Sequence, residues 1–600
     1  MRRLLLLVFA ATSTAAEPVT VRLSTPVDPP EWARLERQLI DEMDRAGVEF
    51  YKTYVEPDGT LRWKERYEGG MNSSDDAYEG FRGFSLHTAI GGSTELDRLH
   101  RLVWEGITRQ FTRYGQIYRE FDSNWDWMHH GEGYVSFYAL GLVQPHDERF
   151  RDRSVRFAAM YTGEDPEAPN YDPDLKIIRA VMNGSRGPKM SWTKRDWIPT
   201  NANLVYYHLP YDDIPGVDSP TGWINDHPDN DQFARIVQVM SDRMARGDTA
   251  INMTVAPLIA NAYLYTGDKK YVDWTRDYIG AWVERTEANN GITPDNVGLS
   301  GEVGEYTGGN WWGAYYGWRW VRGGWDVVLA SYTASKVALL LTGDRDWLDL
   351  PRSQLELLHG KGRREDGTWK IPIRYDNDAG WHHFVPESPY AAVNLWAISQ
   401  KAEDWRRIEE LIAAREEIND PDLAWAQFLH GDRESLPEEA FRRDLHFIAE
   451  KMELIENEHG DPETWFDAKW MATEPMPTDN LVRLTLGGPP VQKRGEMLHS
   501  FVRYFDAAER RPGLPPEVAV LVTGLADDRV DLELVNTNLD QARRLVVQAG
   551  AYGEHQAVSV NGVPVDAPSL EVELAPGAGG KLSIELRRWV NQPSYQFPWD

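Results

Sequence analysis

The chain has 600 residues, with 64 Lys and Arg against 94 Asp and Glu, a formal charge of −30, and no cysteine. That balance excludes the basic footprint a nucleic-acid partner needs, and the missing cysteines exclude disulfides, thiolate metal sites and lipoprotein attachment. A total of 25 tryptophans and 26 tyrosines favours a ligand with faces to stack on. An anionic sugar stays open, because a few local arginines outweigh a diffuse field that salt screens.

Residues 1–16 (MRRLLLLVFAATSTAA) read as a secretory signal peptide. Two arginines precede an apolar run from Leu4 to Ala11, and small residues lead to a cleavage point after Ala16. The run is shorter than the roughly 20 apolar residues of a membrane span. A secreted or periplasmic protein without membrane insertion of the mature chain is expected. A polar, extended lead-in (residues 17–30) precedes apolar positions Trp32, Leu35, Leu39, Met43, Val48 and Tyr51, whose period predicts a helix over 31–54. Further helices are predicted over 85–89 and 95–118, the latter on the stripe Leu96, Leu99, Leu102, Val103, Ile107, Phe111.

A phrase then repeats from Ala158, Asn261 and Ala338: an apolar helix end, Thr-Gly-Asp or Thr-Gly-Glu, and a charged amphipathic start. The glycine ends one helix and the acidic residue caps the next. Short turns of this kind make antiparallel helical hairpins, and their recurrence indicates an array of helix pairs. At Arg510-Arg-Pro-Gly-Leu-Pro-Pro the composition breaks into a linker. Six alternating runs follow, starting near residues 517, 529, 542, 555, 569 and 581, and predict a β-sandwich over 516–590. The tail from Asn591 is expected to lie back on the body. The domain reading is 1–16 signal peptide, 17–509 helical catalytic domain and 516–590 β-sandwich.

Helical hairpins, aromatic loops and a terminal β-sandwich together resemble the six-hairpin (α/α)6-toroid superfamily of bacterial glycoside hydrolases and polysaccharide lyases. The resemblance implies a mainly α fold, a toroid-like barrel of helical hairpins, with the site in the cavity at one end of the inner helix ring. It is one of architecture, with no single family's signature matched, so no catalytic residue is carried over.

Four long, acidic, aromatic stretches fit such a site. The first is 71–83, where Ser74, Asp75, Asp76 and Glu79 either face the cavity or cap the next helix. The second is 124–134, with Trp125, Asp126, His129, His130 and Glu132. Adjacent histidines cannot face one point on a helix, so no metal is expected there, and one of them is read as a proton shuttle. The third is 289–326, with five tryptophans and three tyrosines. Here rings around Glu302 or Glu305 would raise a pKa toward that of a general acid; the alternatives are helix capping and an aromatic core plug. The fourth is 374–384, where Asp376 and Asp378 fit a turn better than a Ca²⁺ loop and His382 and His383 follow.

The first functional expectation is a glycoside hydrolase acting on a polysaccharide or oligosaccharide. Glu302 or Glu305 would work with Asp76 or Asp126 across the bond, Trp125, Trp311 and Trp312 would stack on sugar, and Arg319 would contact a carboxylate or hydroxyl. The second is a lyase, with His129, His130, His382 or His383 as base, Tyr306 as acid and Asn310 or Arg322 neutralising the uronate. The third is a non-catalytic glycan-binding protein using the same aromatic wall. No cofactor is expected, and phosphate-loop, GxSxG, HExxH and GxGxxG motifs are absent from the sequence.

Overall fold

The apolar stripe from Trp32 to Tyr51 does form a helix, α1 (Glu31–Tyr54), which buries that stripe against a late helix and the C-terminal sheet. The computed structural model describes residues 19–67, 74–197, 231–320, 322–365, 367–415, 417–492 and 494–600. The signal-peptide reading of residues 1–16 lies outside these. After α1 come α2 (Ser74–Glu79), α3 (Gly83–Ile90), α4 (Thr94–Tyr114), α5 (Trp127–Val143), α6 (Glu148–Thr162), α7 (Asp231–Met244), α8 (Ala256–Thr266) and α9 (Lys269–Ala288). Then follow α10 (Gly324–Thr342), α11 (Asp349–Gly360), α12 (Tyr390–Ser399), α13 (Ala402–Ala413), α14 (Pro421–His430) and α15 (Leu436–Glu456). The described chain is mainly helical, with a C-terminal strand region.

Two kinds of helix alternate. Every residue of α3 is buried, as are all but Met128 of α5 and nearly all of α8, α10 and α12. Their partners α4, α6, α9, α11 and α13 are amphipathic, each with one buried stripe and one charged face. A helix apolar on all sides belongs in an interior, and a striped one at a surface. The Thr-Gly-Asp turns work as the sequence implies: Gly267 and Gly343 end α8 and α10 in left-handed conformations, and Asp268 and Asp344 accept backbone N–H bonds at the next start. The copy from Ala158 departs from this. Gly163 ends α6, but the chain then makes a short hairpin, Tyr171–Asp172 with Ile177–Ile178, instead of a helix. The helix predicted to reach residue 118 stops at Tyr114, because Gly115 takes φ 86°.

Between α11 and α12, strands β2 (Thr368–Asp376) and β3 (Gly380–Pro386) form an antiparallel hairpin. β1 (Thr20–Leu23) and β4–β12 (Val502–Asp506, Arg511–Pro512, Val518–Ala526, Arg529–Asn536, Arg543–Ala549, Gln556–Val560, Val563–Ala567, Ser569–Leu574, Gly579–Arg587) make two five-stranded sheets. Their orders are β1-β11-β8-β4-β5 and β6-β7-β12-β9-β10. All six predicted strand runs are strands. The linker prediction is corrected: Arg511 and Pro512 are β5, paired with β4, and Gly513 and Leu514 bond back to Tyr504 and Ile90. The N-terminal lead-in supplies β1, which pairs parallel with β11. Prolines broke the alternating pattern there, although pairing on a sheet edge tolerates them.

Candidate active site

The sequence Asp126-Trp-Met-His-His-Gly-Glu-Gly starts α5, and each residue type has a local reason. Asp126, fully buried, is the N-cap: its Oδ1 accepts the backbone N–H of Met128 (3.0 Å) and His129 (3.2 Å). The same carboxylate accepts the His129 Nδ1–H at 2.8 Å, and Tyr315 Oη donates to its Oδ2 at 3.2 Å. The flanking glycines let backbone close in around Glu132. A Cβ on Gly133 would lie 3.2 Å from the Asp75 Cα, and one on Gly131 would lie 3.0 Å from the Gly495 nitrogen.

α2 packs across α5, and all six of its residues are buried. The contact brings two triads together. Asp75, His129 and Glu132 place one ligand-type atom each within 4.8 Å of one another, and so do Asp76, Glu79 and Glu132. Both sets are buried, and both could hold a divalent cation. Four carboxyls and one imidazole therefore share a space centred on Glu132. Around it, Arg82 Nη1 lies 3.5 Å from Glu79, and Arg494 pairs with Asp326 at 2.8 Å. Arg322 lies 3.5 Å from the same Asp326 and 3.2 Å from the Met128 sulfur. Arg322, Arg494, Trp325 and Tyr390 line a neighbouring cavity of about 330 Å³.

Electrostatics follow from burial. Desolvation, reinforced by Glu79 and Glu132, pushes Asp76 up to about 7, and desolvation pushes Asp75 well above the carboxylate range. Burial pulls His129 down, but Asp126, Asp75 and Glu132 outweigh it and raise it to about 10. Burial also opposes the charge on Asp126, yet His129 beside it holds its pKa below the usual value.

Of the residues singled out from sequence, Asp76 and Asp126 stand here, with Trp125 at 5.1 Å from the His129 ring. His130 does not. It turns the other way, donating from Nε2 to the Asn183 carbonyl (3.1 Å) with Nδ1 3.6 Å from Asp122. The two histidines diverge because neighbours on a helix point in different directions.

The aromatic loop folds around a buried carboxyl of its own. Buried Asp295, raised to about 6 by desolvation, accepts the N–H groups of Gly313, Ala314 and Trp318 and so folds the loop around itself. Trp311 stacks on Tyr375 of β2 at 4.8 Å, and Arg319 lies 5.9 Å over Trp312. Asn310 bonds Asn377 and the Thr307 carbonyl. Of that loop's residues, Tyr315 is shown bonded to the cluster, through Asp126.

Glu302 and Glu305 are exposed. Glu305 accepts from the Ser300 N–H (2.9 Å) and Oγ (2.6 Å), and those bonds hold its pKa below the ordinary value. The expectation of a raised pKa is thus reversed for Glu305, because a turn and not a ring surrounds it. Tyr306 stacks under Arg246 at 4.4 Å, outside the cluster. His382 pairs with Asp376 at 3.2 Å in the β2–β3 hairpin, whose turn Asp376 caps by accepting from Asp378 and Ala379. Exposed His383, at φ 56°, follows it.

The members weighted too lightly from sequence are Asp75, Glu79, His129 and Glu132, together with Arg494 and Tyr315. A legible signal existed in Asp75-Asp76-x-x-Glu79, which puts acids on adjoining turns, and in a Glu flanked by glycines. Capping accounted for the first, and attention to paired histidines hid the mixed His–carboxylate sets.

The fold and site define a mainly helical protein with a buried carboxylate–histidine centre where two helices cross. The chain belongs to the family described as "Domain of unknown function (DUF8034)", whose model matches residues 20–482. That match spans the helical body and β1 and ends before β4. No curated protein matches the chain.

Proposed function

We propose that this protein is a carbohydrate-active enzyme, a glycoside hydrolase acting on a polysaccharide or oligosaccharide, uronate-containing ones included, with the α2–α5 cluster as its catalytic centre. One observation carries the reading. Asp76 of α2 and Glu132 of α5, on separate helices, bring carboxyl oxygens within 4.8 Å in a buried site beside Trp125. Hydrolases use two carboxyls about 5–5.5 Å apart for retention and roughly 6.5–9.5 Å apart for inversion, and oxygens within 4.8 Å of each other lie nearer the first spacing. In the overall reaction the anomeric C–O bond breaks, the water oxygen bonds to the anomeric carbon, and one water proton ends on the leaving oxygen.

The helix pairs support a six-hairpin toroid as the frame. In α3/α4, α5/α6, α8/α9, α10/α11 and α12/α13 a mostly buried helix precedes an amphipathic one, and α14 and α15 would complete the set. Residues 1–16 support export by their signal-peptide pattern. No helix among the described residues is long and apolar enough to cross a membrane.

A second reading, a lyase, is favoured by one arrangement: His129 is oriented by Asp126, and Arg322 and Arg494 lie on the neighbouring cavity. A base would take the proton beside a uronate carboxylate, the bond to the leaving oxygen would break, and the product would carry a new C=C bond.

The test uses the chain from Glu17 onward on a panel of neutral and uronate-containing glycans, read by saturated-sugar release and by ultraviolet absorbance of unsaturated uronate. Saturated product alone is expected, with D76N and E132Q losing about 10²–10⁴-fold in turnover. Wild-type turnover in both variants would move the centre away from the cluster, and rising absorbance would favour the lyase.

A further inference from the structure

We infer that the α2–α5 cluster is a binding site for a divalent transition-metal cation, with Glu132 as the shared ligand between Asp75 and His129 on one side and Asp76 and Glu79 on the other. Three observations carry this. First, both triads have ligand atoms within 4.8 Å of one another, close enough to converge on an ion. Second, Asp76 is 4% exposed, and its Oδ2 has no hydrogen-bond partner among the described residues, although its carboxyl faces Glu79 and Glu132. A buried polar atom left in that state costs free energy that a bound ion recovers. Third, His129 Nδ1 lies 2.8 Å from Asp126 Oδ1, so that Nε2 is the ring nitrogen not engaged by Asp126. A carboxylate behind a histidine is the usual outer support of a metal-bound imidazole, fixing its tautomer and raising its basicity.

The donor set narrows the ion. One imidazole and carboxylates suit Zn²⁺ or Mn²⁺, whereas Ca²⁺ and Mg²⁺ prefer all-oxygen shells. Four carboxylates in one buried space also repel one another, and a dication offsets that repulsion while leaving them ionised. The site stands independently of the proposed hydrolysis. Its chemical role rests on that reading: the cation would supply, at the leaving oxygen, the positive charge that a protonated carboxyl supplies elsewhere.

The test is metal content and affinity of the purified chain from Glu17 onward. Protein stripped with chelator and titrated with Mn²⁺ and with Zn²⁺, one at a time, is expected to bind at least one ion per chain and to rise in unfolding temperature. E132Q, shown to be folded by circular dichroism, should lose roughly ten-fold or more in affinity, and D126N about 10–100-fold. D76N replaces E132Q should the latter fail to fold. D566N on β10 should bind as wild type. Binding no tighter than millimolar, or equal binding by wild type, E132Q and D76N, would overturn the site. The two proposals separate cleanly. Ion binding with no glycan cleaved leaves the cation site standing and removes the hydrolase, and full turnover by ion-free protein leaves the hydrolase standing and removes only the cation's part in its chemistry.

Discussion

At the scale of single residues, burial decides what a carboxyl does. Glu36 on α1 is fully buried where the helix meets β6 of the C-terminal strand region. It accepts from Thr485 Oγ1 at 2.5 Å and from the Val520 N–H at 2.9 Å. Desolvation outweighs those bonds and the neighbouring Arg37, lifting its pKa from 4.5 to about 7. Tyr504 faces the same pocket, with its hydroxyl on the Thr485 carbonyl. The folded state thus holds the Glu36 proton more tightly than the unfolded one, so the stability that Glu36 contributes falls as pH rises from 4.5 to about 7 and is lost beyond. Glu36→Gln keeps a donor and an acceptor without the charge. We predict that its unfolding midpoint declines less than wild type across that pH range, by chemical denaturation at each pH. Parallel profiles would show that Glu36 does not titrate on folding. The same physics separates Asp76, buried and raised, from Glu305, exposed and lowered. Sequence placed both among rings and acids, and only the path of the chain decides which of them loses its water.

At the scale of elements, glycines mark where backbone must touch backbone. Gly106 lies in α4 against the turn at Gly59, and a Cβ there would sit 1.8 Å from the Gly59 carbonyl oxygen. Gln110, one turn on, clamps that loop by bonding the N–H and C=O of Leu61. The turn cannot move away without breaking the clamp, so G106A should cost at least about 2 kcal/mol. Gly280 in α9 is the contrasting case: its Cβ would meet a single atom within 4 Å, at 3.9 Å on Trp347. G280A should stabilise by about 0.5–1 kcal/mol, the ordinary helix gain of Ala over Gly. Urea denaturation checks both, and equal effects of the two changes would contradict this packing. Helices were legible element by element because apolar period and Thr-Gly-Asp turns are local signals. The triads were not, because they form only where α2 crosses α5, some 50 residues along the chain.

At the scale of the whole molecule, distant parts of the chain meet at the sheets and at α5. β1 completes a C-terminal sheet, and Tyr595 of the tail inserts against α5, with its hydroxyl reaching the Tyr138 carbonyl (3.0 Å) and Asn261 Oδ1 (2.6 Å). A Cβ on Gly141 would lie 2.5 Å from that ring, so the sequence makes room for it. The helix that carries His129 and Glu132 is thus pinned at its far end by the tail. Strand alternation made the C-terminal strands readable, whereas the recruitment of β1 and β4 depends on pairing between distant parts of the chain.

The proposed hydrolysis by the carboxyl cluster would put an oxygen from water on the anomeric carbon. The most direct measurement is turnover in ¹⁸O-labelled water, on whichever glycan of the panel is cut, with the products weighed by mass spectrometry. One ¹⁸O per new reducing end and no unsaturated product are expected, with D76N and E132Q releasing that product about 10²–10⁴-fold more slowly. Products without ¹⁸O that carry a new double bond would contradict it.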